Sequence, residues 1–166
     1  MLILGLDPGS SSTGYGVIEC RPGRLRAVDY GTLSPPRGLP FLRRLPYITD
    51  ALERLADRMR PDAVAAEDVF VSRNLRVALK LGHVRGAALL PLLRAGIPVH
   101  EYPARLVKKA VTGYGAADKD QVRRMVRVLL ALQAADLALD TSDALAVAIC
   151  HAHARPLLAR HVVCPV

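Results

Sequence analysis

Met1-Leu2-Ile3-Leu4-Gly5-Leu6-Asp7-Pro8-Gly9 opens the chain. An apolar run ends on an acid, and Pro8 and Gly9 then break the extended backbone. The stretch reads as a buried strand over residues 2–7 with a carboxylate at its C-terminal rim. In α/β sheets, ligands and metals gather at that rim. Working outward, Thr13-Gly14-Tyr15-Gly16-Val17-Ile18-Glu19-Cys20 follows a Gly/Ser-rich turn and reads as a second strand. Pro22-Gly23 is a turn, and residues 25–33 read as a third strand. Such short turns favour antiparallel pairing.

Residues 34–40 form a proline-rich loop, and 42–60 carry a helical pattern that Pro46 is expected to start or kink. Ala63-Val64-Ala65-Ala66-Glu67 then repeats the opening motif: a short apolar strand that ends on an acid. Residues 74–94 read as a long helix distorted near Pro91, 97–102 as a fifth strand and 103–111 as a short helix. Residues 112–117 read as an exposed loop. Asp118 caps a helix to about residue 132, and a last helix begins at Asp140 or Thr141 and runs to about 153. The order β-β-β-α-β-α-β-α-α-α predicts an α/β fold: a mixed five-stranded sheet with helices on both faces. If the strands ending at Asp7 and Glu67 are parallel neighbours, both acids share one rim. One domain is expected over residues 1–155. The tail 156–166, with Pro156 and Pro165, is expected to be poorly ordered.

The 166 residues, 51% of them hydrophobic, suffice for one domain with a proper core. No apolar run approaches the roughly 20 residues that span a bilayer, and no signal-peptide pattern opens the chain. Three cysteines, Cys20, Cys150 and Cys164, are too few and wrongly spaced for a disulfide framework or a four-ligand zinc site. These features predict a cytoplasmic protein. Lys plus Arg is 23 against 15 Asp plus Glu, a net charge of +8. A basic surface fits a polyanion such as nucleic acid, and equally fits plain solubility. With no Trp and two Phe, stacking platforms for single strands are not expected.

Asp140 and Asp143, spaced i, i+3 at the start of a helix, share one helical face. The apolar run Ala144-Leu145-Ala146-Val147-Ala148-Ile149 buries that helix against the sheet. If its N-terminus reaches the rim, Asp7, Glu67, Asp140 and Asp143 converge. Four unpaired carboxylates repel one another and take up protons unless a cation joins them. Hard Mg²⁺ or Mn²⁺ prefers oxygen donors, and two such ions can bridge a phosphodiester. Taken singly, each acid has a plain structural explanation: Asp7 as a turn cap, Glu67 as a rim charge, Asp140 as an N-cap, Asp143 as a partner of the helix dipole. Cys150-His151-Ala152-His153 at a helix end does not make a closed metal site. Gly113-Tyr114-Gly115 lacks the strand and the Lys-Ser/Thr of a phosphate loop, and reads as a mobile loop. Gly82 and Gly86 on the long helix let another backbone come close.

The chain resembles the RuvC-type Holliday junction resolvases. The similar stretches are Gly5-Leu6-Asp7-Pro8-Gly9 with Thr13-Gly14-Tyr15-Gly16, Glu67-Asp68-Val69-Phe70 with Asn74, and Ala78-Leu79-Lys80-Leu81-Gly82 with Arg85-Gly86. Val107-Lys108-Lys109, Lys119-Asp120-Gln121-Val122 and Asp143-Ala144-Leu145-Ala146 complete the ordered set. The resemblance implies a ribonuclease-H-like fold and a homodimer that cuts four-way DNA junctions by paired, symmetric nicks. Family relatives also suggest work beside a branch-migration helicase complex. The resemblance assigns catalytic and metal roles, with two Mg²⁺ or Mn²⁺ ions per site, to Asp7, Glu67, Asp140 and Asp143; His also occurs at the Asp140 position. It assigns DNA contacts to Phe70, Arg73, Asn74, Lys80, Lys108 and Lys119, with Phe70 against the junction core and the last two lysines near the scissile phosphate.

Three other functions share parts of this pattern. An actin-like sugar kinase or ATPase also begins with a strand and an Asp-x-Gly turn, but needs two lobes. A non-catalytic junction-binding module would not profit from four acids, which weaken DNA binding unless metal is present. A ribonuclease H acting on RNA–DNA hybrids shares fold and metals.

Overall fold

A computed structural model describes residues 1–68, 74–133 and 137–161, with side chains through residue 154. Ten elements follow the predicted order: β1 (Leu2–Asp7), β2 (Thr13–Arg21), β3 (Arg24–Leu33), α1 (Phe41–Met59), β4 (Ala63–Glu67), α2 (Leu75–Arg94), β5 (Val99–Tyr102), α3 (Ala104–Thr112), α4 (Lys119–Leu129) and α5 (Leu139–His161). The sheet runs β3-β2-β1-β4-β5. β1 is therefore central, antiparallel to β2 and parallel to β4, and β5 continues the parallel half. Leu6 lies opposite Ala66, so the next residues, Asp7 and Glu67, end neighbouring strands on the same rim.

Alternation along the strands decides which helices those acids face. Leu4 and Leu6 of β1, Val17 of β2, and Val64 and Ala66 of β4 pack with Ile48, Leu52, Val84 and Leu92 of α1 and α2. Ile3, Ile18 and Ala65 point the other way, into a second core with α3, α4 and α5. Asp7 shares parity with Ile3, and Glu67 with Ala65, so both acids leave the sheet on the α5 side. Each fully buried Leu or Ile of these two cores contributes roughly 1.5–3 kcal/mol.

On the α5 face, β1 and β2 carry glycine where the helix comes closest. A Cβ added at Gly5 would collide with the Ala144 carbonyl oxygen and stand 2.9 Å from Ala148 Cβ. One added at Gly14 would strike the Asp140 carbonyl, and one at Gly16 the Leu145 side chain. Glycine inside a strand marks this kind of close approach. It lets α5 lie directly on β1 and β2. From Ala144 to Cys150 every residue of α5 is buried, because the sheet covers one side and α3 and α4 the other.

The structure moves several boundaries. Pro46 lies inside α1 rather than at its start, and Pro91 lies inside α2 and is buried. Asp140 belongs to the first turn of α5 and is not its N-cap, since the helix begins at Leu139. Helical backbone continues past 153 to His161. Asp118 caps α4 through a capping box: its Oδ1 accepts from the Gln121 N–H at 2.8 Å, and its own N–H donates to Gln121 Oε1 at 2.9 Å. The 112–116 turn is not loose, because Thr112 Oγ1 donates to the Lys108 carbonyl at 2.8 Å and accepts from the Tyr114 N–H at 3.1 Å.

Candidate active site

Three elements deliver the four acids. Asp7 and Glu67 end β1 and β4, and the first turn of α5 supplies Asp140 and Asp143. Asp7 is the most affected. Burial, followed by the charges of Asp143, Asp140 and Glu67, pushes its carboxyl from 3.8 up to about 7, against a lesser opposing pull from Lys119. Glu67 is also raised, by burial and then by Asp143, with Lys119, Lys108 and Arg85 acting against the rise. The mutual repulsion places the acids in one electrostatic neighbourhood. It also removes the capping explanation for Asp7, whose carboxylate accepts no hydrogen bond among the described residues.

The other two acids have partners. Ser12, at the end of the turn after β1, donates its hydroxyl to Asp140 Oδ2. That turn is tied down. Thr13 Oγ1 donates to the Gly9 carbonyl at 3.2 Å, and Arg44 Nη1 of α1 donates to the Ser10 carbonyl at 3.2 Å. Lys119, the first residue of α4, donates from Nζ to Asp143 Oδ2 at 3.0 Å. The pairing raises the lysine's own pKa, chiefly through that hydrogen bond. Arg85 of α2 braces the β4 end, giving one bond of 2.6 Å to the Glu67 carbonyl and another to the Glu101 carboxylate.

Among the described residues, no three carboxylate, imidazole or thiol groups stand grouped so as to hold a metal ion as they are. The donor set nonetheless suits a hard divalent cation. It consists of carboxylate oxygens, and Asp7 meets more negative than positive charge. Lys119 is the ammonium that offsets part of it.

Of the six expected DNA contacts, Lys119 and Lys108 lie beside the acids, both acting on Glu67. Asn74 caps α2, accepting from the Arg76 and Val77 N–H groups at 3.1 and 3.3 Å. Lys80 is exposed on α2, its Nζ 5.5 Å from the centre of the Phe41 ring. Phe70 and Arg73 lie outside the described residues. The Cys150-His151-Ala152-His153 stretch is packing material: Cys150 is buried with its thiol pushed up to about 11 by burial, and His151 shares a 2.6 Å hydrogen bond with the Tyr102 hydroxyl. His153 Nδ1 lies 3.1 Å from the Ala110 carbonyl. Sequence reasoning missed Ser12 and Arg85 as braces of the acids. Ser12 sits in a run of three serines that do not differ by pattern, and nothing local tells which of them meets an acid 128 positions away.

The model of the family described as crossover junction endodeoxyribonuclease RuvC matches residues 3–151. The chain belongs to the RuvC family. The RuvC crossover junction endodeoxyribonuclease of Chloroflexus aurantiacus is 47% identical over 160 residues, covering 96% of this chain and 98% of the relative. Among solved structures, Thermus thermophilus RuvC in complex with Holliday junction substrate matches with a TM-score of 0.87 and 35% identity, over 94% of this chain and 96% of that one. A yeast mitochondrial Holliday junction resolvase matches in fold alone, with a TM-score of 0.65 at 11% identity. RuvC membership and the ribonuclease-H-like sheet agree with the resemblance seen in the sequence, and the kinase reading loses its support. No helix among the described residues is long and apolar enough to cross a membrane.

Proposed function

We propose that the chain is a metal-dependent endonuclease that resolves four-way DNA junctions by paired, symmetric nicks. The observation that carries this is the electrostatic coupling of four carboxylates at one rim, where Asp7 meets three acids against one lysine, and Lys108 and Lys119 act on Glu67. The RuvC relatives are named crossover junction endodeoxyribonucleases, and a structural neighbour is in complex with Holliday junction substrate.

Asp7, Glu67, Asp140 and Asp143 are the residues to hold two Mg²⁺ or Mn²⁺ ions. When bound, such ions activate the attacking water and stabilise the leaving oxygen in phosphodiester hydrolysis. The chain's own residues do the rest. Asp7, fixed at a strand end, offers a short and rigid carboxylate. Ser12 holds Asp140 in one orientation, leaving its second oxygen free. Lys119 and Lys108 offset negative charge where the phosphate enters. Cleavage of the phosphorus–O3′ bond leaves 3′-hydroxyl and 5′-phosphate ends.

Symmetric nicking needs two sites, hence a homodimer. α2 offers a surface for it. Leu75, Val77, Leu79, Leu90 and Leu93 are exposed, and a Cβ at Gly82 or Gly86 would meet nothing within 4 Å. Among the described residues, those glycines therefore do not serve packing within the chain. Work beside a branch-migration helicase complex in the cytoplasm fits the same reading, as does one nuclease domain over residues 1–155.

The deciding experiment incubates the protein with a synthetic four-way junction, a linear duplex and an RNA–DNA hybrid, each in Mg²⁺ and in Mn²⁺. Selective, paired nicking of the junction is expected. Preference for the hybrid would move the chain to ribonuclease H chemistry, and tight binding without product in either metal would make it a binding module.

A further inference from the structure

Beside the acid rim, α3 carries three cations outside any ion pair among the described residues, and the turn after it carries an exposed tyrosine. Arg105, Lys108 and Lys109 share one face of α3 at i, i+3, i+4 spacing. With Tyr114 they line an open hollow of about 1010 Å³. Among the described residues none of the three forms an ion pair, whereas Arg21 and Arg26 on the β2–β3 hairpin both pair with Glu19. Helix-surface cations outside any ion pair leave a local positive field, which a polyanion neutralises.

Tyr114 is 65% exposed, a large ring turned to solvent. The backbone that presents it is fixed. Gly113 closes α3 at φ 79°, its N–H donating to the Lys109 carbonyl. The Tyr114 carbonyl lies 2.9 Å from Thr112 Oγ1, as a second acceptor for its one proton beside the Lys108 carbonyl, and accepts from the Ala117 N–H at 3.3 Å. Gly115 lies against Arg105: a Cβ there would stand 2.8 Å from Arg105 Cγ and 3.3 Å from its Nε. The turn thus holds both the ring and the guanidinium at the mouth of the hollow. Lys108 joins this hollow to the rim, since it also acts on Glu67.

We infer that the hollow is a second DNA contact that seats the phosphodiester backbone of one junction arm beside the cleaved strand. Arg105 and Lys109 neutralise phosphates, and Tyr114 rests its ring on a deoxyribose with the hydroxyl toward a phosphate. Tyrosine and backbone-directed cations position a duplex without reading its sequence. The inference rests on the proposed junction endonuclease but concerns a surface outside the four acids.

The test is junction binding by the full-length protein in Ca²⁺, followed by fluorescence anisotropy over a series of salt concentrations. Tyr114→Ala should weaken binding roughly tenfold through the lost apolar ring contact with the salt slope unchanged, and Tyr114→Phe should recover most of the loss. Lys109→Gln should weaken binding and reduce the slope of log Kd on log salt by about 0.9. Lys109 is exposed, so this variant decides the matter even if the tyrosine variants melt early. Wild-type binding and slope in both Tyr114→Ala and Lys109→Gln would overturn the contact while leaving the endonuclease intact. So would competition by an acidic polypeptide such as polyglutamate in wild type but not in Lys109→Gln, with junction binding equal in the two. Failure of the wild type to bind or cut a junction would instead remove the proposed function itself.

Discussion

The two ends of the sheet use similar charges in opposite ways. At the β2–β3 hairpin, Glu19 receives Arg21 through Nε and Nη2 at 2.9 and 2.7 Å and Arg26 through Nε at 3.4 Å. Its carboxyl is lowered, first by the hydrogen bond from Arg21. At the rim of β1 and β4, four acids share too few cations, and Asp7 is raised to about 7. The hairpin is electrostatically settled and exposed, while the rim is unsettled and half-buried. Folding alone does not call for such a concentration of like charge. Unrelieved repulsion at the C-terminal edge of an α/β sheet is what singles this rim out as the candidate site for the proposed cations.

The largest effect should come from removing the centre of the unsettled end. Asp7→Asn is expected to cut junction cleavage by roughly 10²–10³-fold or more, while junction binding survives. A gel assay with both metals checks it, and full cleavage would sink the metal-site assignment. The same carboxyl should also tie the stability of the divalent-free protein to pH. In the folded chain Asp7 binds its proton more tightly than in the unfolded chain, so stability falls as pH rises from about 4 to 7. The total is on the order of 2–4 kcal/mol, with Glu67 adding in the same direction. Thermal melts in EDTA across this range should show Tm dropping toward neutral pH. Asp7→Asn or added Mg²⁺ should flatten the curve.

Gly5→Ala attacks the geometry that brings the acids together. Its Cβ would meet the Ala144 carbonyl and Ala148, and overpacking of this kind costs about 1–3 kcal/mol. Denaturant unfolding should read that loss, and cleavage should fall further than stability because α5 carries Asp140 and Asp143. The smallest effect belongs to the settled end. Glu19→Gln should leave both Tm and cleavage unchanged, since an exposed pair adds little; a marked loss of either would mean that the two ends are not independent.

Much of this contrast could be read along the chain. Two apolar runs ending on Asp7 and Glu67 are local signals, as is the i, i+3 pair of Asp140 and Asp143. Pattern alone recovered the order of all ten elements, because strand alternation, helix periodicity and the Asp118 capping box are set within a few residues. The misread details were those where neighbours in space prevail. Asp140 looked like an N-cap but lies in the first turn of α5, where Ser12 takes its carboxylate. The 112–117 stretch looked loose but is knotted by the Thr112 hydroxyl.

The α/β class, the RuvC kinship and the acids worth watching were all legible along the chain, since each rests on residue type and spacing. That β1 sits between β2 and β4, that Asp7 and Glu67 leave the sheet on the α5 side, and that α5 lies directly on Gly5, Gly14 and Gly16 emerge from the packed fold. Strand order and helix approach are fixed by which surfaces exclude water together, and that depends on every element at once. Two strand-end acids and a helical pair become one charged site only because three glycines leave room for the helix that joins them.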